Sequence, residues 1–184
     1  AAIEVDQPSS WNLTSNRADV VMITHADFAG ELAALKALRE SQGYTVAVVD
    51  VEDIYDEFGF GAHTPAAIKA FLARTASWQT APAYVLLVGD ATYDPRNYLG
   101  VGDVDFVPTR LADTLDYQAA YDDWLADRNG DDVADLAIGR LPVRTVAEAQ
   151  TVVGKILSHE AAPTGPLTAL FVADAPTGDN FVVN

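Results

Sequence analysis

The sequence predicts an α/β domain in which a doubly wound, mostly parallel sheet of about five strands is flanked by helices. Two observations support this class. Residues 84–88 are continuously apolar, which is typical of a strand buried on both faces in the middle of a parallel sheet. Short apolar runs also alternate with helical patterns along the chain, and this alternation predicts crossovers that place helices on both sides of the sheet.

Five apolar runs are predicted to be strands. They cover residues 20–23, 46–49, 84–88, 136–138 and 169–172. After the third run, Gly89 permits a sharp exit and Asp90 stands at the carboxyl end of the strand. Ligand and catalytic groups gather at that edge of open α/β sheets. After the fourth run, residues 139–142 are expected to close the strand.

Three stretches carry signals for the start of a helix. Asp27 is expected to cap the first helix. The apolar face of that helix consists of Phe28, Leu32, Leu35 and Leu38. The second helix begins at Thr64-Pro65, with the proline in the first turn where its missing N–H costs nothing. The third begins at Thr145, which forms a capping box with Glu148.

Composition excludes several classes of function. The chain has 27 acidic and 11 basic residues and a net charge of −16, whereas nucleic-acid binding needs clustered Lys and Arg. It has no cysteine, which excludes disulfides, thiolate metal sites and a cysteine nucleophile within these residues. No apolar run is long enough to cross a bilayer, and the first residues lack the pattern of a signal peptide.

The chain is expected to hold one α/β domain at residues 19–175. Residues 1–18 lack periodicity and are interpreted as a linker or an arm from a preceding domain. Residues 90–135 are interpreted as a long, irregular, turn-rich insert. The insert carries 12 acidic residues and 3 arginines, a net of −9 out of the −16 of the whole chain. Such a density of carboxylates repels itself unless a cation neutralises it.

Oxygen-bearing side chains recur at alternate positions of a short loop in this insert. The candidate metal ligands are Asp127, Asn129, Asp131 and Asp135. They occupy positions 1, 3, 5 and 9 of the loop, with Gly130 among them, which is how calcium loops turn oxygens towards a hard cation. The loop is not an EF-hand, and a further ligand would come from Asp122 or Asp123. We expect a structural calcium ion here; the alternative is a solvated turn rich in Asp, Asn and Gly.

Carboxylates also stand at four predicted strand ends. They are Asp27, Asp50, Asp90 and Asp174. A phosphoacceptor pocket gathers such acids around magnesium, and this is one functional alternative for the chain. That pocket also needs an acidic pair after the first strand and a lysine after the last, and the sequence has neither. Helix capping is the simpler interpretation for Asp27 and Asp50.

The remaining chemical motifs predict no catalytic site. The three histidines, His25, His63 and His159, stand beside no plausible nucleophile in the sequence. There is no Gly-x-Ser-x-Gly elbow, phosphate loop or dinucleotide fingerprint. Composition and spacing alone therefore predict an α/β domain with a calcium loop and without catalytic residues.

Four blocks of the sequence together resemble the gingipain-type cysteine peptidase family. They are Ile23-Thr24-His25 followed by Asp27-Phe28, residues 48–58, residues 84–90 and residues 135–143. The resemblance runs from about Ala18 to Asp174 and implies a caspase-like α/β fold of two side-by-side subdomains. This chain resembles the first of them, so residues 176–184 would begin the connection to the second.

The resemblance also implies that the catalytic Cys-His dyad lies outside this chain. In the family the histidine lies in a Gly-His-Gly stretch and the cysteine on a later strand, and this sequence contains neither. No catalytic residue is assigned here, although Asp174 is the candidate for the acidic group that orients the histidine. The 127–135 loop resembles acidic, calcium-loop-like segments of bacterial members, with Asp132 where a second glycine is expected.

The implied parent is a secreted or cell-surface bacterial endopeptidase that acts on proteins or peptides. Its second, catalytic subdomain would be the main partner of this chain. The alternative, from another class, is a pseudo-enzyme or a scaffolding module of a secretion system, with the same fold and no peptidase activity.

Overall fold

A computed structural model describes residues 9–115 and 117–162. Four parallel strands form the main sheet in the order β2-β1-β3-β6, and β4 and β5 form a separate antiparallel hairpin. The strands are β1 (Val20–Thr24), β2 (Val46–Asp50), β3 (Tyr84–Val88), β4 (Arg110–Asp113), β5 (Gln118–Tyr121) and β6 (Ala137–Leu141). The helices are α1 (Ala26–Ala29), α2 (Ala33–Ser41), α3 (Val51–Gly59), α4 (Pro65–Thr75), α5 (Asp123–Ala126) and α6 (Val146–Ala161). The predicted α/β class with a parallel sheet is confirmed, while the strand predicted at 169–172 lies outside the described residues.

Successive side chains of the central strand β3 feed two cores on opposite faces of the sheet. Val85 and Leu87 belong to one core and Val88 to the other, as the two-residue period of a strand requires. Tyr84 departs from the prediction of burial on both faces, because it lies at the start of the strand and is 46% exposed. Its ring meets that of Tyr44 edge-on, with centroids 5.9 Å apart.

The fourth strand of the sheet, β6, runs further than the sequence predicted. Gly139 and Arg140 were expected to close it, but both lie within it. The reason is its register with β3, which pairs Leu86 with Gly139 and Leu87 with Arg140. Tertiary pairing therefore extends the strand and carries an arginine to the carboxyl edge of the sheet.

The first core is covered by α3, α4 and α5. Helix α3 was not predicted from the sequence. Its N-cap is Asp50, whose side chain accepts the N–H of Glu52 at 3.1 Å, so the helix-capping interpretation of Asp50 is confirmed. Val51, Ile54 and Tyr55 are buried at the spacing of one helical face. In α4, Pro65 occupies the first turn as predicted.

The second core is covered by α1, α2 and α6. His25 caps α1, not Asp27 as predicted, because the His25 Nδ1 atom accepts the N–H of Asp27 at 3.2 Å. A 3-10 turn at Gly30–Leu32 separates α1 from α2, so the single predicted helix is interrupted. Of its predicted apolar face, Leu38 is only half-buried.

The capping box at the start of α6 forms in part. The Thr145 side chain accepts the N–H of Glu148 at 3.2 Å, as predicted. The Glu148 carboxylate accepts the N–H of Arg144 at 2.7 Å instead of that of Thr145. Along the described residues, no helix is both long and apolar enough to span a bilayer.

Residues 9–18 contact the domain directly. The Trp11 indole N–H donates to Asp53 at 3.0 Å, and the Trp11 carbonyl accepts the indole N–H of Trp78 at 3.1 Å. The two indole rings stack with centroids 6.0 Å apart. This segment therefore covers the ends of α3 and α4.

The acidic insert is more regular than the sequence predicted. It contains the hairpin β4–β5, in which Arg110 pairs with Tyr121 and Asp113 with Gln118, and the short helix α5. The Lys69 side chain of α4 donates to the carbonyl of Trp124 at 2.7 Å, so α5 is fastened to the first core by a long-range contact that local sequence does not reveal.

Candidate functional site

The parallel strands bring their carboxyl ends to one edge of the sheet, and the predicted strand-end carboxylates lie there. Asp27 is 3.4 Å from His25, Asp50 caps α3, and Asp90 is 2.5 Å from Arg144. Asp174 lies outside the described residues. Asp50 and Asp90 each have a local partner, and residues 9–115 and 117–162 hold no group of three or more His, Asp or Glu side chains placed to bind a metal.

The insert begins just after β3, and its residues Phe106 and Val107 pack closely against Gly89. This residue has a φ of +143°, and a Cβ atom there would lie 2.8 Å from the Phe106 Cβ and 3.0 Å from Val107 Cγ2. The N–H groups of Phe106 and Val107 both donate to the Asp90 carbonyl, at 3.0 and 3.3 Å. Glycine is required here because residues 106–107, where the insert comes back to the sheet, pass directly over the backbone of Gly89 and leave no room for a side chain.

Arg140 contacts more of the segments that meet at this edge than a single side chain usually does, through four hydrogen bonds of its guanidinium group. Its Nε and Nη2 atoms each donate to one oxygen of Asp122 at 2.8 Å, the two-pronged geometry in which arginine binds carboxylates best. Its Nη1 atom donates to the carbonyls of Gly89 at 2.8 Å and Val107 at 2.6 Å. One guanidinium therefore joins β6, the exit of β3, the returning insert and the start of α5.

Asp122 stays ionised in this arrangement. Burial works against its charged form, but the hydrogen bonds and charge of Arg140, with a hydrogen bond from Thr109, outweigh it and hold the pKa of Asp122 below its usual value. Asp122 was named as a possible calcium ligand, yet both of its oxygens are engaged by Arg140. Its observed role is to pair with the arginine.

A second group of polar side chains lies beside Arg140. Burial raises the pKa of Asp105, although the N–H of Thr92 and the charge of Arg140 work in the other direction. Burial also raises the pKa of Tyr55, whose ring stacks on His63 with centroids 4.4 Å apart. These side chains were not predicted from the sequence. The signal that could have indicated them is an arginine at the end of an apolar strand, because a buried arginine requires a partner.

The loop between α5 and β6 contains the four predicted metal ligands. It is closed at its base, where the N–H of Asp135 donates to the Ala126 carbonyl at 3.0 Å. The Arg128 side chain fastens it to α4 by donating to the Thr75 hydroxyl at 2.7 Å. Asp132 has a φ of +64°, so this aspartate adopts the left-handed backbone at the position where a glycine was expected.

Asp127 is the buried member of the loop, with 2% of its surface exposed. Its Oδ1 atom accepts the N–H of Gly130 at 2.6 Å, and its Oδ2 atom lies 3.3 Å from the Lys69 ammonium. Burial opposes the charged form of Asp127, but these two donors outweigh it and keep its pKa below the usual value. Lys69 also lies over the Trp124 ring, 4.6 Å from its centroid.

The other three predicted ligands are exposed and accept N–H groups of the loop itself. Asn129 Oδ1 accepts from Asp131 at 2.9 Å, Asp131 Oδ1 accepts from Val133 at 3.0 Å, and Asp135 Oδ2 accepts from Arg128 at 2.8 Å. These are the local turns that Asn and Asp form with the backbone two residues on, or across a short loop. The donor chemistry suits a hard cation, but the side chains are not gathered around one point in this conformation.

The described histidines have structural contacts. His25 meets the Phe106 ring edge-on at 5.4 Å, and His63 lies 3.3 Å from Glu52. Within residues 9–115 and 117–162, no hydrogen bond joins a histidine ring to a serine or threonine hydroxyl; the Thr24 hydroxyl donates to the backbone carbonyl of His25 at 3.2 Å. The sequence has no cysteine, and the described residues show no nucleophile paired with a base.

The chain matches one family model and is similar to three solved chains, two of which are described here. The model of the family described as Peptidase family C25 matches residues 13–182. The crystal structure of dimeric latent PorU from Porphyromonas gingivalis has a TM-score of 0.63 and 25% identity, and the match covers 77% of this chain and 15% of that one. A structure described as that of a protease has a TM-score of 0.59, with 20% identity over 77% of this chain and 28% of the other; at this identity it shows the fold alone. Among curated proteins none matches.

Proposed function

The chain belongs to peptidase family C25, the gingipain family, and we propose that it is the first, non-catalytic subdomain of a longer cysteine endopeptidase. It spans 15% and 28% of the two related structures, so the activity belongs to a longer protein. The observation that carries the proposal is the combination of a family match across residues 13–182 with a sequence that contains no cysteine.

In the proposed enzyme, the chemistry is acyl transfer by a Cys-His dyad outside this chain. A thiolate attacks the peptide carbonyl, a histidine transfers the protons, and backbone donors stabilise the oxyanion. This chain contributes a packing surface for the catalytic subdomain at the carboxyl edge of its sheet, where Arg140 holds the insert in place. Rigid support matters because catalytic geometry tolerates only small displacements.

The test compares the 184-residue chain with the longer protein that contains it. We expect the longer protein to cleave members of a broad peptide library and the chain alone to cleave none. A longer protein that is inert with its thiol intact would contradict the proposal and favour the pseudo-enzyme or scaffolding alternative.

We also propose that the parent is secreted or displayed on a bacterial surface, in keeping with its relative from Porphyromonas gingivalis. An antibody to this chain should detect the parent in medium or surface fractions. Detection in the cytoplasm alone would contradict this.

We further propose that the loop of Asp127, Asn129, Asp131 and Asp135 binds a structural calcium ion. The four proposed ligands lie within nine residues of each other, in an insert with a net charge of −9. Of the three carboxylates in this set, Lys69 pairs with that of Asp127, and no ion pair among the described residues joins Asp131 or Asp135 to a lysine. Small rotations of the exposed side chains would exchange loop N–H groups for a cation at little cost, since these hydrogen bonds are made in water.

The calcium proposal predicts a calcium-dependent melting temperature. Calcium should raise the melting temperature and chelator should lower it, because a ligand that binds only the folded state stabilises it. The double change Asp127→Ala with Asp131→Ala should abolish the difference between the two conditions, whereas Asp113→Ala, in the hairpin of the same insert, should leave it intact. Identical melting curves in calcium and in chelator for the unchanged chain would reject the proposal and leave a solvated turn.

A further inference from the structure

Asn129 and Gly130, in the loop between α5 and β6, form a dipeptide that is open to attack by its own backbone. Asn129 is the only asparagine in the sequence that is followed by glycine. Both residues are exposed, and a Cβ atom added at Gly130 would meet nothing within 4 Å beyond its chain neighbours. The backbone nitrogen of Gly130 therefore has open space around it, and glycine has no side chain to hinder its approach to the Asn129 carboxamide.

These two groups permit deamidation, the reaction in which an asparagine loses ammonia. After the Gly130 N–H loses its proton to hydroxide, the nitrogen attacks the Asn129 Cγ atom, a C–N bond forms and a ring closes. The Cγ–Nδ2 bond breaks, and Nδ2 leaves as ammonia with a proton from water. Water then adds to one of the two ring carbonyls and opens the ring to aspartate or isoaspartate. The chain consumes one water molecule and releases one ammonia molecule, without any other co-reactant.

The folded loop holds the attacking nitrogen by its proton. The Gly130 N–H donates to Asp127 Oδ1 at 2.6 Å, and only 2% of Asp127 is exposed. A hydrogen bond to an ionised acceptor is stronger than one between neutral groups. The negative charge of the carboxylate also opposes the formation of an amide anion next to it. Asp127 therefore stabilises the protonated, unreactive form of the Gly130 nitrogen.

The Asn129 carboxamide, by contrast, is held only at the surface of the loop. Its Oδ1 atom accepts the N–H of Asp131 at 2.9 Å, and its Nδ2 atom donates to Asp135 at 3.4 Å. Both contacts are exposed, so water competes with them. Asp127 is fixed more firmly, because the Lys69 ammonium of α4 lies 3.3 Å from its Oδ2 atom. Control over the reaction therefore lies at the attacking nitrogen and its buried acceptor.

We propose that Asn129 is a deamidation site and that Asp127 protects it in the folded chain by holding the Gly130 N–H. Opening of the loop frees this N–H, and the reaction then records the opening permanently, because hydrolysis of the ring does not restore the carboxamide. Aspartate at this position adds a further carboxylate to an acidic loop, and isoaspartate lengthens its backbone by one atom. The modification does not depend on peptide-bond cleavage, so it stands apart from the proposed function.

The test follows conversion of Asn129 in the 184-residue chain by peptide mass spectrometry, at neutral pH and in chelator, so that the result does not depend on calcium. We expect conversion to be about tenfold faster or more in guanidinium chloride than in the folded chain, because unfolding breaks a charge-assisted hydrogen bond of the reacting nitrogen. In the unfolded chain, Asn129 should convert before Asn97, which is followed by tyrosine. Equal rates in the folded and unfolded chains, or earlier conversion of Asn97, would overturn the proposal.

Variants locate the protection at Asp127. Asp127→Ala removes the acceptor and should speed the conversion of Asn129 in the folded chain about tenfold. Two matched controls should convert at the rate of the unchanged chain. Lys69→Met loosens the attachment of the loop but keeps the acceptor, and Asp132→Asn removes a carboxylate of the same loop that does not accept the Gly130 N–H. An increase in the Lys69→Met protein as large as that in the Asp127→Ala protein would show general loosening and refute the proposal.

Asp127→Asn gives a decisive result where melting curves show that the Asp127→Ala protein does not fold. Its carboxamide keeps the size of the side chain and an oxygen that can accept the Gly130 N–H, but it carries no charge. Because a neutral acceptor binds an N–H less strongly than a carboxylate does, we expect Asn129 to convert faster in this variant than in the unchanged chain. Equal rates in the two folded proteins would contradict the protective role of the Asp127 carboxylate.

Discussion

Replacing Arg140 with methionine is expected to destabilise the domain by roughly 3 kcal/mol, because removal of one partner of a buried ion pair leaves the other charge uncompensated. The arginine side chain is 12% exposed and that of Asp122 is 23% exposed. The variant also removes the donors to the carbonyls of Gly89 and Val107. We take the low end of the range for buried pairs because water can still reach Asp122. Urea unfolding of the two proteins measures the difference.

Arg144→Met is the matched control for this prediction. Arg144 also bridges carboxylates at the same edge, but its side chain is 55% exposed, and exposed ion pairs contribute little. We expect a much smaller loss of stability from this change. In a double-mutant cycle, Arg140→Met and Asp122→Asn together should cost less than the sum of the two single changes. Equal losses for the Arg140 and Arg144 variants would contradict the central role of Arg140.

Gly89→Ala is expected to cost about 3 kcal/mol, through backbone strain and steric overlap together. The φ of +143° is one that residues with a side chain rarely adopt, and the new methyl group would lie 2.8 Å from the Phe106 Cβ. A Cβ atom cannot rotate away, so the returning insert must shift. The change in the free energy of unfolding, measured in urea, gives the cost.

Gly154→Ala is the control for this prediction, and we expect it to raise the free energy of unfolding in the same experiment. Gly154 lies inside α6, and an added Cβ would meet nothing within 4 Å. Alanine should therefore stabilise the domain by roughly 0.5–1 kcal/mol through helix propensity. A Gly89→Ala protein as stable as the unchanged chain would show that the insert does not pass over the strand as described.

Local patterns predicted most of the sheet but not all of its details. The apolar runs of β1, β2 and β3 are visible in the sequence because buried strands need continuous apolar residues. The end of β6 could not be predicted in this way, since its length depends on pairing with β3. The helix α3 could have been found, because Val51, Ile54 and Tyr55 have helical spacing behind the cap Asp50.

The candidate site depends on contacts between distant residues, so its sequence signals were partial. The 127–135 loop is visible as a pattern of Asp, Asn and Gly. Lys69, which neutralises Asp127, lies 58 residues away in the sequence, and no local pattern predicts that contact. Arg140 and Asp122 are 18 residues apart and meet only because the insert folds back over the sheet edge.

The most direct test of the central claim is thiol labelling of the longer protein that contains this chain. The protein is treated with iodoacetamide, its peptidase activity is measured, and the labelled residue is identified by mass spectrometry. We expect activity to be lost and the label to lie on a cysteine outside residues 1–184, since these residues contain none. Full activity after complete labelling would contradict the assignment of this chain as the supporting subdomain of a cysteine peptidase.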